Sequence, residues 1–193
     1  FKQSGFGKII ELKGDNDNFM QVFVGDYSSH FDDESFGFRL KRDNTYALYM
    51  WVREGHNHFA DNNWHHFAIV TGDGNNRILI DGKEQEIFFT YGSTQEFSNI
   101  TNPTSMFIGK DNTVSVDEIA FYKNPLTNAE IRERAHRKLT GEEMGLVAYY
   151  NFDNSSVVDN SGLGRDAKKE GIVSYEKANL LITPFTQQPT PGV

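Results

Sequence analysis

Tyr49, Trp51 and Arg53 fall at alternate positions of an apolar run, so a strand over residues 46–52 and its end places all three on one face. Two aromatic rings beside a guanidinium suit a sugar, because a pyranose offers a CH face to stack on and hydroxyls to pair. His56, Asn57 and His58 follow in the adjoining loop and would extend the polar side of such a platform. The opposite face of the same strand carries Leu48, Met50 and Val52. Every sheet of a layered β protein also needs large side chains inside, so the row has two readings. It is an exposed platform if Leu48, Met50 and Val52 form the core, and it is core itself if they do not.

Oxygen-rich loops offer a second chemistry. Calcium takes six to eight oxygen ligands from carboxylates, carbonyls and water, and the chain holds acidic turns at 15–18, at 32–34 and around Asp153 and Asp159. The competing reading is that Asp153 and Asp159 hydrogen-bond their own backbone in turns, and that 15–18 and 32–34 are solvated loops. Zinc fits poorly: the pairs His56/His58 and His65/His66 lack the usual spacing, and no cysteine assists. Glycan hydrolysis requires two opposed carboxylates, about 5 Å apart for retention and further for inversion. Asp81, Glu84 and Glu86 surround a hairpin turn, and Asp117 and Glu118 are neighbours that point to opposite faces. Neither set meets the requirement, nor is there a nucleophile elbow or a phosphate loop. The expectation is a non-catalytic protein.

The elements that would position these residues are antiparallel strands. Residues 64–70, a polar turn at 71–76, residues 77–80 and an Asp81-Gly82 turn form a meander. Residues 8–12 and 19–24 flank a Gly-Asp-Asn-Asp-Asn loop as a hairpin, and 36–40 and 46–52 form another around Asp43-Asn44. Further strands are expected at 87–91, 106–109, 115–122 and 145–153. One short helix is marked near 127–138, where Thr127 and Glu130 have the spacing of a capping box and arginines crowd the C-terminal half.

Taken in order, Trp64-His65-His66-Phe67-Ala68, Ile80-Asp81-Gly82-Lys83, Val116-Asp117-Glu118-Ile119 and Leu126-Thr127 with Glu130-Ile131 resemble the laminin-G-like jelly rolls of the concanavalin A-like lectin and glucanase superfamily. The strand at 145–153 and the turn at 159–164 extend the likeness over residues 5–167. The resemblance implies an all-β fold, an antiparallel two-sheet β-sandwich with one helix, over residues 1–182, followed by a Pro/Thr-rich linker at 183–193. It implies one stabilising calcium ion held by Asp117, Asp153 and Asp159. The implied role is a binding or adhesion module outside the cell, in an exported bacterial protein, with a glycan or other cell-surface or matrix ligand. Runner-up roles are a protein-interaction or spacer module and an accessory domain of a carbohydrate-active enzyme. In many relatives a segment like 145–167 opens the domain. Here it comes last, so either N-terminal strands are missing or 172–175 and 180–182 replace them in a permuted order.

Composition narrows the partners. A net charge of −8, with 27 acidic against 19 basic residues and no basic block, argues against nucleic acid and anionic membranes. No apolar run reaches the roughly 18 to 20 residues that span a bilayer. The chain starts at Phe1 and ends in linker-like sequence, which points to one module of a longer multidomain protein.

Overall fold

Three short turns set the geometry of the N-terminal half. Asn16-Asp17, Asp43-Asn44 and Asp81-Gly82 all have positive φ at both residues, the backbone twist that matches paired antiparallel strands. The computed structural model describes residues 2–3, 7–24, 36–52, 62–72, 74–92, 104–109 and 114–176. The chain forms two units, Phe1–Val116 and Asp117–Val193.

The first unit holds strands β1 (Lys2–Gln3), β2 (Gly7–Lys13), β3 (Phe19–Val24), β4 (Phe36–Arg42), β5 (Thr45–Val52), β6 (Phe67–Val70), β7 (Arg77–Ile80), β8 (Lys83–Glu84), β9 (Phe88–Tyr91), β10 (Ser105–Ile108) and β11 (Val114–Ser115). Six of them form one antiparallel sheet in the order β10-β2-β3-β4-β5-β9, and β6-β7-β8 form a second. The strands expected at 87–91 and 106–109 are present, at opposite edges of the larger sheet. β1 pairs with β11.

The two sheets meet through one apolar layer. Ile9, Val22, Val24, Phe36, Phe38, Leu40, Leu48, Met50 and Val52 from the large sheet are buried with Ile78 and Ile80 from β7, and Phe67 and Ile69 from β6 pack against them. The Phe36 and Phe67 rings lie 4.9 Å apart across the layer. This is the face-to-face packing of a β-sandwich, and Leu48, Met50 and Val52 are its inward set.

In the second unit β12 (Ile119–Tyr122) pairs antiparallel with β13 (Leu146–Tyr150). Helix α1 (Asn128–Ala135) begins at Thr127 with the full capping box: the Glu130 amide donates to Thr127 Oγ1 at 3.3 Å, and the Thr127 amide donates to Glu130 Oε2 at 2.8 Å. Residues 172–175 form no strand. Ile172 is fully exposed and Val173 half so, and among the described residues no strand pairs with this β-prone run. Residues 180–182 and the 183–193 tail lie outside the described residues.

Gly37 is required on β4. A Cβ there would sit 2.5 Å from the Phe23 ring and 2.9 Å from the Met50 carbonyl oxygen. Gly37→Ala is therefore expected to destabilise by about 1–3 kcal/mol, the cost of overpacking, read as a lower urea midpoint with unchanged slope. An unaltered midpoint would show that the Phe23 ring does not lie over this backbone.

Candidate functional site

The outward face of the six-stranded sheet is built from aromatic rings and cations. Alternation that sends Leu48, Met50 and Val52 inward sends Tyr49 and Trp51 outward. The register then lines up three cross-strand rows. One runs Phe107, Glu11, Gln21, Arg39, Tyr49, Tyr91; the next runs Lys8, Phe23, Gly37, Trp51, Phe88; the third runs Ser105, Lys13, Phe19, Lys41, Tyr46.

Three β-bulges complete this face. In β2 Ile9 is extra opposite Val22 and Phe23, which turns Lys8 to the side of Glu11. Ala47 is an extra residue opposite Leu40 and Lys41, which turns Tyr46 to the same side as Tyr49. Thr90 is likewise extra in β9, so Phe88 and Tyr91 both face outward. Rings then contact one another: Trp51 on Phe88 at 5.0 Å, Phe23 edge-on to Tyr49 at 5.7 Å, and Tyr46 stacked on Tyr91 at 5.5 Å with 15° between planes. Phe19 meets Tyr46 edge-on at 6.2 Å.

Tyr49 and Trp51 are only 8% and 7% exposed, sealed in with Phe23 and Phe88. Neither reading of the sequence anticipates this placement, since the pair lies outside the sandwich core and still lacks a free stacking face. Arg53, His56 and His58 lie outside the described residues. The aromatic surface that remains open is at Tyr91, 49% exposed, with the partly buried Tyr46 and Phe19. The outward parity of Phe19, Arg39 and Lys41 was readable from their strands; that of Tyr46 and Tyr91 was hidden by the bulges.

A polar ladder crosses the same face. Gln21 Nε2 donates to Glu11 Oε1 at 2.5 Å, Arg39 Nε donates to Gln21 Oε1 at 2.7 Å, and Lys8 Nζ lies 3.1 Å from Glu11 Oε1. Burial works to raise the Glu11 carboxyl, but the bonds from Lys8 and Gln21 and the charges of Lys8 and Lys13 hold it below its ordinary value. The Arg39 guanidinium also covers the Phe23 ring at 5.2 Å and the Phe19 ring at 5.8 Å.

The expected calcium residues are placed differently from one another. Asp117 and Asp153 are close enough for burial and then the Asp153 charge to push the Asp117 carboxyl up. Burial likewise raises Glu118, with the Asp117 charge adding to it, while Glu118 accepts from the Tyr149 hydroxyl. Within this cluster the Lys138 ammonium bonds Asp153. Asp159 is occupied elsewhere: it is 5% exposed, and its carboxylate accepts the amides of Tyr149 (3.0 Å), Ser161 (2.9 Å) and Arg165 (3.0 Å). Among the described residues no three His, Cys, Asp or Glu side chains are placed to share a metal ion. The Asp159 carboxylate is thus spent on backbone amides, while Asp117 and Asp153 share the cluster with Glu118 and Lys138.

His65 and Asp81, which sequence reasoning placed only in a strand and a turn, form a pair: His65 Nδ1 lies 2.9 Å from Asp81 Oδ2, and the His66 amide donates to Asp81 Oδ1 at 2.9 Å. With the Asp81 amide donating to the His66 carbonyl at 2.8 Å, this locks the entry of β6 to the β7-β8 turn.

Comparison with protein families matches residues 9–132 to a laminin-G model described as the Concanavalin A-like lectin/glucanases superfamily. No curated protein matches the chain, and neither does any solved structure.

Asp159 gives a pH test. Burial acts to raise its carboxyl, yet the Ser161 hydroxyl and amide and the Tyr149 and Arg165 amides bring it down to about 2. A depressed folded pKa stabilises above the unfolded value and is lost as pH falls through the folded one. That contribution should be full above about pH 4, the ordinary range for Asp, and vanish towards pH 2. Asp159→Ala, which strands three amides, is expected to lose about 3 kcal/mol or more at neutral pH and to flatten stability between those limits. A variant with the acid limb of its denaturation curve intact would contradict this.

Proposed function

Because the chain belongs to the Concanavalin A-like lectin/glucanases superfamily, we propose that it is a non-catalytic binding module whose ligand is a glycan, taken on the outward face of the six-stranded sheet. The observation that carries the reading is the stacked Tyr46–Tyr91 pair, open at Tyr91 and flanked by Phe19, Arg39 and Lys41. Its exposed ring offers a stacking surface for the CH face of a pyranose, and the neighbouring polar groups suit its hydroxyls. Strand-borne side chains locked by cross-strand contacts need little ordering when a ligand arrives, which favours affinity.

The non-catalytic reading rests on the carboxylates. Among the described outward positions of this face the one acid is Glu11, buried and held by Lys8, Gln21 and Lys13, whereas glycan hydrolysis needs two opposed carboxyl groups in a cleft. In this reading the module works outside the cell as part of a longer protein, which the family resemblance supports.

A second reading, a protein-interaction or spacer module, draws on the burial of Tyr49 and Trp51, which removes two rings from any platform. A glycan panel titrated against the protein separates the two. For the glycan bound best, Tyr91→Ala should weaken affinity about tenfold, or about 1.4 kcal/mol, at the upper end of what an aromatic contact adds, while the thermal midpoint stays unchanged. Binding that survives Tyr91→Ala undiminished would refute this site, and no binding across the panel would leave the interaction or spacer module.

A further inference from the structure

The charge of the same face is opposite to that of the chain. The protein carries 27 acidic and 19 basic residues, yet the outward positions of β2, β3 and β4 bring together Lys8, Lys13, Arg39 and Lys41 against a single carboxylate, Glu11. Glu11 Oε1 is held from within, with Lys8 3.1 Å away and Gln21 donating to the same atom, while Oε2 makes no hydrogen bond among the described residues and has Lys13 Nζ at 3.7 Å. That leaves Lys13 only loosely engaged and exposed, and Arg39 and Lys41 without a carboxylate partner among the described residues. The acidic turns, with Asp15, Asp17 and Asp43, lie beyond the strand ends, where Asp43 is 3.9 Å from Arg42.

These cations sit among the rings. Lys41 Nζ lies 6.0 Å from the Phe19 centroid, the Arg39 guanidinium 5.8 Å from the same ring, and Lys13 Nζ 5.9 Å from Phe107. Lys13, Phe19 and Lys41 are direct cross-strand partners, so charge and ring alternate at the strand spacing of about 4.8 Å.

Resting on the glycan reading above, we propose that the ligand is a polyuronate, an anionic polysaccharide with one carboxylate per sugar, whose rings lie on Phe19, Tyr46 and Tyr91 while its carboxylates meet Lys13, Arg39 and Lys41. Three cations interleaved with rings match one charge per sugar better than a densely sulfated chain, which would crowd the CH faces the aromatics need. The planar guanidinium of Arg39 suits a carboxylate, which it can bind through two parallel N–H donors.

The test is titration of the whole chain with polygalacturonate, dextran sulfate, uncharged dextran and polyglutamate, at low and at physiological salt. Polygalacturonate should bind best and weaken as salt rises. Lys13→Gln with Lys41→Gln should lower its affinity about tenfold and reduce the slope of log affinity against log salt by about 1.5, if each cation counts as in other polyanion complexes. A thermal melt of that variant, expected to match the parent, guards against misfolding, and Lys41→Gln alone serves if the double variant melts early. Dextran binding as well as polygalacturonate would overturn the charge inference while leaving the glycan reading. Polyglutamate or dextran sulfate binding as tightly would overturn the uronate. Binding of no polysaccharide would overturn both.

Discussion

Side-chain parity across one six-stranded register is the constraint on which the rest depends. In a strand the side-chain period is two, so a slip of one residue would exchange every inward side chain for an outward one. The register that buries Val22, Phe38, Leu40, Leu48 and Met50 against Ile78 and Ile80 is therefore the same one that gathers Phe19, Phe23, Arg39, Tyr49 and Trp51 on the opposite face. Stability of the sandwich and composition of the candidate surface are fixed by one choice. Most buried residues of the core layer come from β3, β4 and β5, the strands that also carry most of the outward rings.

That outward face is unusual for a layer turned away from a core, since it carries three buried aromatics, Phe23, Tyr49 and Trp51, and a buried carboxylate, Glu11. Rings cover rings, with Phe23 over the bare backbone of Gly37 and Trp51 on Phe88. Arg39 lies over Phe19 and Phe23 while its Nε serves Gln21, so its stem and its charge are both engaged. Glu11 is held ionised by its donors in spite of burial. The result is a rigid floor, with Lys13 and Tyr91 exposed and Phe19, Arg39, Lys41 and Tyr46 partly so.

Local chemistry was legible in the sequence wherever it is decided by neighbours in the chain. The Asp43-Asn44 and Asp81-Gly82 turns, the hairpins that they close and the Thr127–Glu130 capping box all follow from residue types at short spacing. The superfamily was legible too, from strands and turns taken in order. Strict alternation failed at Ile9, Ala47 and Thr90, because a bulge depends on the partner strand and leaves no local signature. Placement of β9 and β10 at opposite edges of the sheet likewise rests on long-range pairing. Asp159 was ambiguous for a related reason: an aspartate in a polar turn reads equally as a cation ligand or as a cap, and only the positions of the Tyr149 and Arg165 amides show that it accepts from the backbone. The strand that a permuted order would have used at 172–175 had the β propensity but no partner among the described residues.

The ligand proposed for the outward face of the six-stranded sheet can be located directly. Backbone and side-chain NMR shifts recorded while a uronic acid oligosaccharide is added would locate the contact without any substitution. The account predicts that the largest changes fall on Phe19, Arg39, Lys41, Tyr46 and Tyr91, with Leu48, Met50 and Ile78 unmoved. Changes concentrated instead on Asp117, Lys138 and Asp153, or confined to the β6-β7 turn, would contradict it.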